Sequence, residues 1–478
     1  MSLVLLFCLL ELQLAYKYLQ YKKNKFNKEV TPAIKSEDLP FVTIQLPVYN
    51  EQYVVERLID ACMHFDYPKE KFEIQVLDDS NDETLAIVKN KVNYWQAKGF
   101  QIEQVTRNNR TGYKAGALQY GLAFAKGEFI AIFDADFLPP KNFLQVTIPY
   151  FQTPNIGVVQ TRWAHLNKNY SLLTKVQAFM LDVHFAIEHT GRNQSGLYMN
   201  FNGTAGVWRK QAIVDAGGWS ADTITEDLDL SYRAQLAGWK FKYLYKVETP
   251  AELPVELNGY KSQQYRWNKG GAEVAIKLLP NILGRKLHFN IKLNAIHHLL
   301  SSSLYIVLFL VLLISMAITF FYNDYPHWLF NFGAIFFVGF IAIGIVYYLG
   351  YRSGEPKKIN SVQFLFLFMS FISVSMGMTL HNAKAVLSAY LGRKSPFVRT
   401  AKYNISNKKE KWQKKQYVHN LDAVVVGEAL MVLGLIYVIF NSINNQFWGF
   451  LPLHLVAFFG YSFVLFYSIK HHFAIKKN

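Results

Sequence analysis

Behind Lys292 the chain runs through five apolar stretches: Leu299 to Phe321, Leu329 to Tyr348, Val362 to Leu380, Ala423 to Phe440 and Phe447 to Ile469. Each approaches the roughly 20 residues that a helix needs to cross a hydrocarbon core. The surface helices of a soluble globule keep a polar face toward water, and these stretches offer none. Residues 293–478 are therefore expected to form a membrane region. A further apolar run, Ser2 to Ala15, is followed by Tyr16, Lys17, Lys22 and Lys23. A cleaved leader carries its positive charge before the apolar core and small residues after it. This order is the reverse, so residues 1–20 read as an uncleaved anchor with its N-terminus outside, even though Glu11 lies within the run.

The formal net charge of +16 at first suggests nucleic acid. The basic residues, however, crowd beside the apolar runs: after Tyr16, from Arg352 to Lys358, from Lys408 to Lys415 and from Lys470 to Lys477. In such places they act as topology determinants and contacts to anionic headgroups. The expected partner is the lipid bilayer, and no nucleic acid. If all five C-terminal stretches crossed, the Lys/Arg-rich loop from Ala383 to His419 would lie opposite the residues before Lys292, against the positive-inside rule. Reading Val362 to Leu380 as an interfacial or re-entrant segment removes the conflict. Loop 381–420 then becomes cytoplasmic, and the loops at Asn323 to His327 and Asn441 to Gln446 face out. The only cysteines, Cys8 and Cys62, supply neither a disulfide framework nor a thiolate metal site.

Between Phe41 and Leu257 the pattern changes. Short apolar or β-branched runs, FVTIQLP, FEIQVLDDS, EFIAIFDAD and IGVVQTRW, alternate with helical patterns at Val54 to Met63, Leu85 to Lys98 and Ala115 to Ala125. This alternation predicts an α/β unit over residues 38–292 with a largely parallel sheet. Ligands of such sheets bind at the carboxyl ends of the strands, where Asp78, Asp79, Asp134 and Asp136 fall.

Asp134-Ala135-Asp136 closes one predicted strand. Cleaving a sugar from a nucleoside diphosphate leaves an anion, and a divalent ion held by carboxylates neutralises it without proton transfer. The same i, i+2 pair also serves simply to end a strand. Asp78-Asp79 offers carboxylates to a nucleobase, a ribose or the metal region, or else makes a turn. Thr225-Glu226-Asp227 opens a helical pattern running to about Ala237. Thr225 suits a helix N-cap and the acids suit its first turn, while Asp227 is also a candidate general base for an acceptor hydroxyl. Gln263-Gln264-Tyr265-Arg266-Trp267 starts a helix-compatible segment in which Trp can stack on a sugar, Arg can pair with diphosphate and Gln can bond hydroxyls. An amphipathic membrane-surface helix would carry the same residues.

The order Asp79, Asp134-x-Asp136, Thr225-Glu226-Asp227 and Gln263-x-x-Arg266-Trp267 resembles the motif series of processive family-2 glycosyltransferases, the cellulose, chitin and hyaluronan synthase group. Val159 to Trp163, Phe201 to Arg209, Gly217 to Trp219 and the Lys261 to Trp267 stretch are most similar to the cellulose-synthase-like A and C branch. That resemblance covers roughly Phe41 to Pro280 and continues more loosely through the apolar spans. It implies a GT-A-type, Rossmann-like domain inserted between transmembrane helices, with its catalytic side in the cytoplasm, at the inner or plasma membrane if the source is bacterial.

By the same resemblance, Asp78, Asp79 and Lys114 would bind the nucleotide, and Asp134 and Asp136 would hold Mg²⁺ or Mn²⁺ with the diphosphate. Asp227, with Glu226 beside it, would be the base. Trp163 and Phe201, Asn202, Gly203 and Thr204 would line the acceptor site, where Gln263 and Trp267 would hold the acceptor end while Arg266 holds the diphosphate. Ser395 to Lys402 resembles a gating loop, although Val398-Arg399-Thr400 carries an arginine foreign to the cellulose-synthase form. The implied reaction polymerises UDP-glucose or GDP-mannose onto a growing β-linked, 1,4 polysaccharide with inversion. The competing readings are a single-transfer enzyme making a glycolipid and a membrane protein that has lost turnover.

Overall fold

The computed structural model describes residues 2–321, 333–354, 360–407, 409–412 and 423–476. Seven strands form one sheet: β1 Val42–Val48, β2 Phe72–Asp78, β3 Ile102–Val105, β4 Phe129–Ile132, β5 Ile156–His165, β6 Gly206–Arg209 and β7 Lys240–Ala251. Their order is β3-β2-β1-β4-β6-β5-β7. β1 to β4 are parallel, β5 and β7 are parallel, and β6 runs antiparallel between β4 and β5. The four expected strands are present, and the sheet is mixed at β6, a four-residue strand embedded in a glycine-rich stretch.

β1 and β2 alternate apolar and polar residues, the pattern of a sheet wet on one face. Here the polar face is buried instead. In register, Thr43 Oγ1 donates to Glu73 Oε1 at 2.8 Å and Gln45 Nε2 to Gln75 Oε1 at 3.0 Å, so the polar side chains pair with one another under the helix layer. The helix Tyr113–Phe124 lies directly above: a Cβ at Gly121 would stand 2.7 Å from Gln45 Nε2. The expected helices appear as Val55–Met63, Thr84–Ala97 and Tyr113–Phe124.

β5 and β7 are the longest strands, and their register shifts between Thr161 and Arg162. The bulge carries Trp163 and His165, with Ala251 opposite, beyond the sheet toward the apolar helices. The chain then enters the 28-residue helix Leu257–Gly284, capped by Glu256, whose carboxylate accepts from the backbone N–H groups of Gly259 at 2.5 Å and Asn258 at 2.8 Å. This helix carries Gln263, Arg266 and Trp267. It is bolted to the apolar helices through a buried ion pair, Lys261 Nζ to Glu428 Oε1 at 2.6 Å, and through Ser468 Oγ at 2.8 Å. His381 Nε2 lies 3.0 Å from the Lys261 carbonyl.

Three described helices, Phe289–Phe320, Val424–Asn444 and Leu451–His472, are long and apolar enough to cross a membrane. The segment expected to be interfacial is a broken helix, Ser361–Gly377 and Thr379–Tyr390, bent by 49° at Met378, a shape shared by broken spans and re-entrant loops. The N-terminal run is helical over Ser2–Asn24. The loop from Asn323 to His327 lies outside the described residues, as does most of the basic run from Lys408 to Lys415.

Candidate active site

The carboxyl ends of β1, β2 and β4 open into a cleft of about 210 Å³. Local geometry decides which strand-end acids reach it. Asp79 lines the cleft. Asp78, the residue before, is 1% exposed and accepts from Ser80 N–H at 3.0 Å and Gln104 Nε2 at 2.8 Å. Both of its oxygens are engaged in holding the turn, and its side chain does not line the cleft. Asp134 and Asp136, two residues apart, both line the cleft.

Each cleft carboxylate already faces a cation. Asp79 takes both ends of the Arg107 guanidinium. Asp134 Oδ1 lies 2.5 Å from Lys114 Nζ, which also donates to the Gly203 carbonyl at 2.9 Å and lies 3.8 Å from Glu226 Oε1. Asp136 Oδ2 lies 2.7 Å from Lys402 Nζ. Burial alone would depress Lys114, but Asp134 and Glu226 raise it, so it stays an ammonium.

Asp227 enters from the first turn of the helix Glu226–Leu236. Thr225 holds the N-cap position, yet its side chain makes no capping bond; it packs on the helix Leu257–Gly284 instead. A Cβ at Gly270 would stand 2.5 Å from Thr225 Cγ2, so this approach requires glycine. Through it, Gln263, Arg266 and Trp267, about one to two turns earlier, come to the same cleft as Glu226 and Asp227. Gly203 roofs Asp227. Its φ is +78°, and a Cβ there would stand 3.0 Å from Asp227 Oδ2 and 3.3 Å from Lys114 Nζ. Burial, then the neighbouring Glu226, pushes the Asp227 carboxyl up to about 7. Burial draws the Arg266 guanidinium down to about 10, against the pull of Asp134 and Glu226.

The expected acceptor residues divide. Trp163, Asn202, Gly203, Gln263 and Trp267 line the cleft. Phe201 and Thr204 are fully buried behind it: the Phe201 ring packs edge-on against Trp208, and Thr204 Oγ1 accepts from the Asp134 backbone N–H at 2.9 Å. Both shape the loop that carries Asp134 and Gly203.

Several cleft residues were not singled out from sequence. Glu51, just past β1, is pushed up to about 7 by burial, although Arg399 Nη1 at 2.7 Å pulls it down. It obeys the same strand-end rule as Asp134 and was legible on that ground. Tyr49 stacks under Arg110, whose guanidinium carbon lies 3.3 Å from the ring centroid. Glu252, after β7, accepts from Arg57 at 3.2 Å and from the Tyr403 N–H at 2.8 Å. The strap from Ser395 to Lys402 crosses the mouth: Phe397 stacks on Tyr113, Arg266 donates to the Val398 carbonyl and to Thr400 Oγ1, and Lys269 holds Ser395 Oγ at 2.6 Å.

GT-A-type glycosyltransferases commonly use a divalent metal ion. Among the described residues no group of three or more His, Cys, Asp or Glu side chains is arranged to hold one. Asp134 and Asp136 nonetheless fit Mg²⁺ or Mn²⁺: they are hard oxygen donors, and such ions take one or two carboxylates together with substrate phosphates. Each already holds a lysine ammonium, so positive charge is stabilised at this spot.

The family model described as glycosyltransferase like family 2 matches residues 40–270. A probable glucomannan 4-beta-mannosyltransferase 7 of Oryza sativa subsp. japonica is 44% identical over 254 residues, covering 52% of this chain and 43% of that protein. The chain thus spans under half the length of that relative. Glucomannan 4-beta-mannosyltransferase 9 of Arabidopsis thaliana is 33% identical over 447 residues, 88% of this chain and 79% of that protein. Among solved structures, a mannosyltransferase from Pyrobaculum calidifontis in complex with GDP-Man and Mn2+ aligns at 17% identity and a TM-score of 0.49, covering 82% of this chain and 98% of that one. The sequence relatives, continuous through both the sheet and the apolar helices, decide the matter: the chain belongs to the family-2 glycosyltransferases, of the cellulose-synthase-like A/C type.

Proposed function

We propose that this protein is a membrane-embedded, inverting hexosyltransferase that extends a linear β-1,4-linked polysaccharide from a nucleotide sugar. The observation that carries the reading is the placement of Asp227 under Gly203, in one cleft with Asp134 and Asp136 on one side and Arg266 and Trp267 on the other. Asp227 takes the proton from the acceptor hydroxyl as that oxygen bonds to the anomeric carbon. The bond from that carbon to the diphosphate oxygen breaks, and the nucleoside diphosphate leaves with the electron pair. Attack opposite the leaving group turns an α-linked donor into a β-linked product. Lys114 and Arg266 offset the charge that grows on the diphosphate. A divalent ion on Asp134 and Asp136 would supply Lewis-acid neutralisation there. Trp267 and Trp163 offer flat faces for the sugar chain.

The names of the relatives favour GDP-mannose as donor, with UDP-glucose the alternative. Full-length protein in detergent or liposomes, given each labelled donor with Mg²⁺ or Mn²⁺, is expected to release a β-mannanase-sensitive polymer from GDP-mannose. A β-glucanase-sensitive polymer from UDP-glucose would instead make it a glucan synthase. Label confined to lipid extracts would refute polymerisation in favour of single transfer. On this reading the catalytic domain faces the cytoplasm and the protein crosses the membrane several times, with residues 1–20 as anchor and Val362 to Leu380 not crossing. The support is the basic residues that flank the apolar runs.

The pH profile tests the base directly. A general base works only when deprotonated, and Asp227 loses its proton near pH 7 in the ligand-free cleft. Thus kcat/KM is expected to fall on the acid side of about pH 7, tenfold per pH unit. The corresponding limb of kcat should lie lower, because a bound cation beside the carboxylate favours its ionised form. An acid limb at the same pH in Asp227→Glu and wild type would argue that another group sets it.

A further inference from the structure

Beyond Asp136 the cleft continues along the extended end of β5, where Trp163 and His165 share one face of the strand at i and i+2. His165 Nε2 lies 3.0 Å from Asp182 Oδ1, on the helix Leu172–Val183, and Lys168 Nζ lies 3.5 Å from the other carboxylate oxygen. Burial alone would raise the Asp182 carboxyl, but the hydrogen bond with His165, together with Lys168 and Arg162, holds it below its usual value. It is therefore an ionised acceptor. A carboxylate against one ring nitrogen fixes the proton there, so the other nitrogen of a neutral imidazole presents a lone pair. That nitrogen, His165 Nδ1, meets no partner among the described residues, and His165 lines the cleft. Two residues earlier, Trp163 Nε1 is buried with no hydrogen-bond partner in the described residues. Its ring sits between Phe137 and Phe185, with centroids 5.1 and 5.2 Å away.

We propose that His165, oriented by Asp182, is an acceptor-binding residue that accepts a hydrogen bond from a hydroxyl of a hexose unit of the glycan lying against Trp163. An indole donor and an imidazole acceptor on one wall match the chemistry of a sugar, whose neighbouring hydroxyls both donate and accept. The aromatic flank matches its apolar C–H face. The reading above puts Trp163 on the acceptor side, and His165 on the same wall goes with it. The inference rests on the polymerase reading above and adds to it two residues and the class of group they bind.

The test compares wild type, His165→Ala and Asp182→Asn as full-length protein in liposomes. The measured quantities are nucleoside diphosphate released per sugar incorporated, product length and donor KM. Asp182→Asn keeps the side chain's size but offers an N–H to Nε2, turning Nδ1 from acceptor into donor. Both variants are expected to lose about tenfold in sugar incorporated per nucleotide released, the effect of one hydrogen bond, and to make shorter chains. Donor KM should stay within about twofold. Unchanged coupling and chain length in Asp182→Asn would overturn the proposal. So would a parallel loss of donor turnover and thermal stability in both variants, which would make the pair a strut between strand and helix. Wild type that releases nucleotide without making polymer would remove the polymerase reading itself, and this inference with it.

Discussion

Asp227→Asn is expected to cut polymer formation by roughly 10²–10⁴-fold, the contribution of a positioned general base, while nucleotide binding stays close to wild type. The amide keeps the shape of the carboxylate, so Gly203 and Lys114 can hold their places around it. What it lacks is the capacity to accept the hydroxyl proton. Binding is expected to be spared because the cations proposed to pair with the diphosphate, Lys114 and Arg266, belong to other elements. Isothermal titration with the nucleoside diphosphate beside a product assay separates the two effects. Equal loss of both would move Asp227 from proton transfer to donor binding. Glu226 supplies the control: it lies 3.8 Å from Lys114, raised by burial, and its conversion to Gln should act mainly on the charge felt by Lys114 and Asp227.

Asp136→Ala is expected to lower activity by about 10²–10³-fold, the scale for removing one preorganised electrostatic partner of a transition state, and to blunt the dependence of donor affinity on Mg²⁺ or Mn²⁺. It also strands a cation. Lys402, whose ammonium lies 2.7 Å from Asp136, would keep only the Glu252 carbonyl at 2.7 Å, so the strap should loosen as well. Adding Lys402→Met to Asp136→Ala separates the two consequences. Strap order, read by protease susceptibility, should return toward wild type, whereas metal dependence should not. Metal dependence identical to wild type in Asp136→Ala would remove this residue from the metal site.

The strand-end acids were legible because an α/β sheet must present its carboxyl ends to a ligand, and four short apolar runs fix where those ends fall. Local geometry made the finer choice. Asp78 ends β2 with its side chain buried while Asp79 reaches the cleft, whereas Asp134 and Asp136 both reach it from the turn that follows β4. Motif order alone cannot make that distinction. Phe201 and Thr204 were similarly hidden: a motif residue is retained equally well for touching a sugar or for holding the loop that does. β6 escaped notice because four residues between glycine-rich loops carry too little periodicity to read. The cations of the strap were out of reach for another reason. Lys402 meets Asp136 across 266 positions, and no local pattern announces such a meeting.

The buried Lys261–Glu428 pair bears on how far this enzyme is modular. The donor half of the cleft belongs to the sheet, but Gln263, Arg266 and Trp267 ride on a helix whose second turn is anchored by Glu428 and Ser468 of two apolar helices. Removing one partner of a buried ion pair typically costs about 3–5 kcal/mol, enough to free that helix. A catalytic domain excised before the apolar region would keep its acids and lose the frame that aims its acceptor side. Chimeras that exchange sugar specificity between relatives would therefore have to carry the helix Leu257–Gly284 together with the membrane positions that grip it. The natural unit of exchange joins the sheet domain to the apolar helices, and the sequence boundary near Lys292 does not divide it.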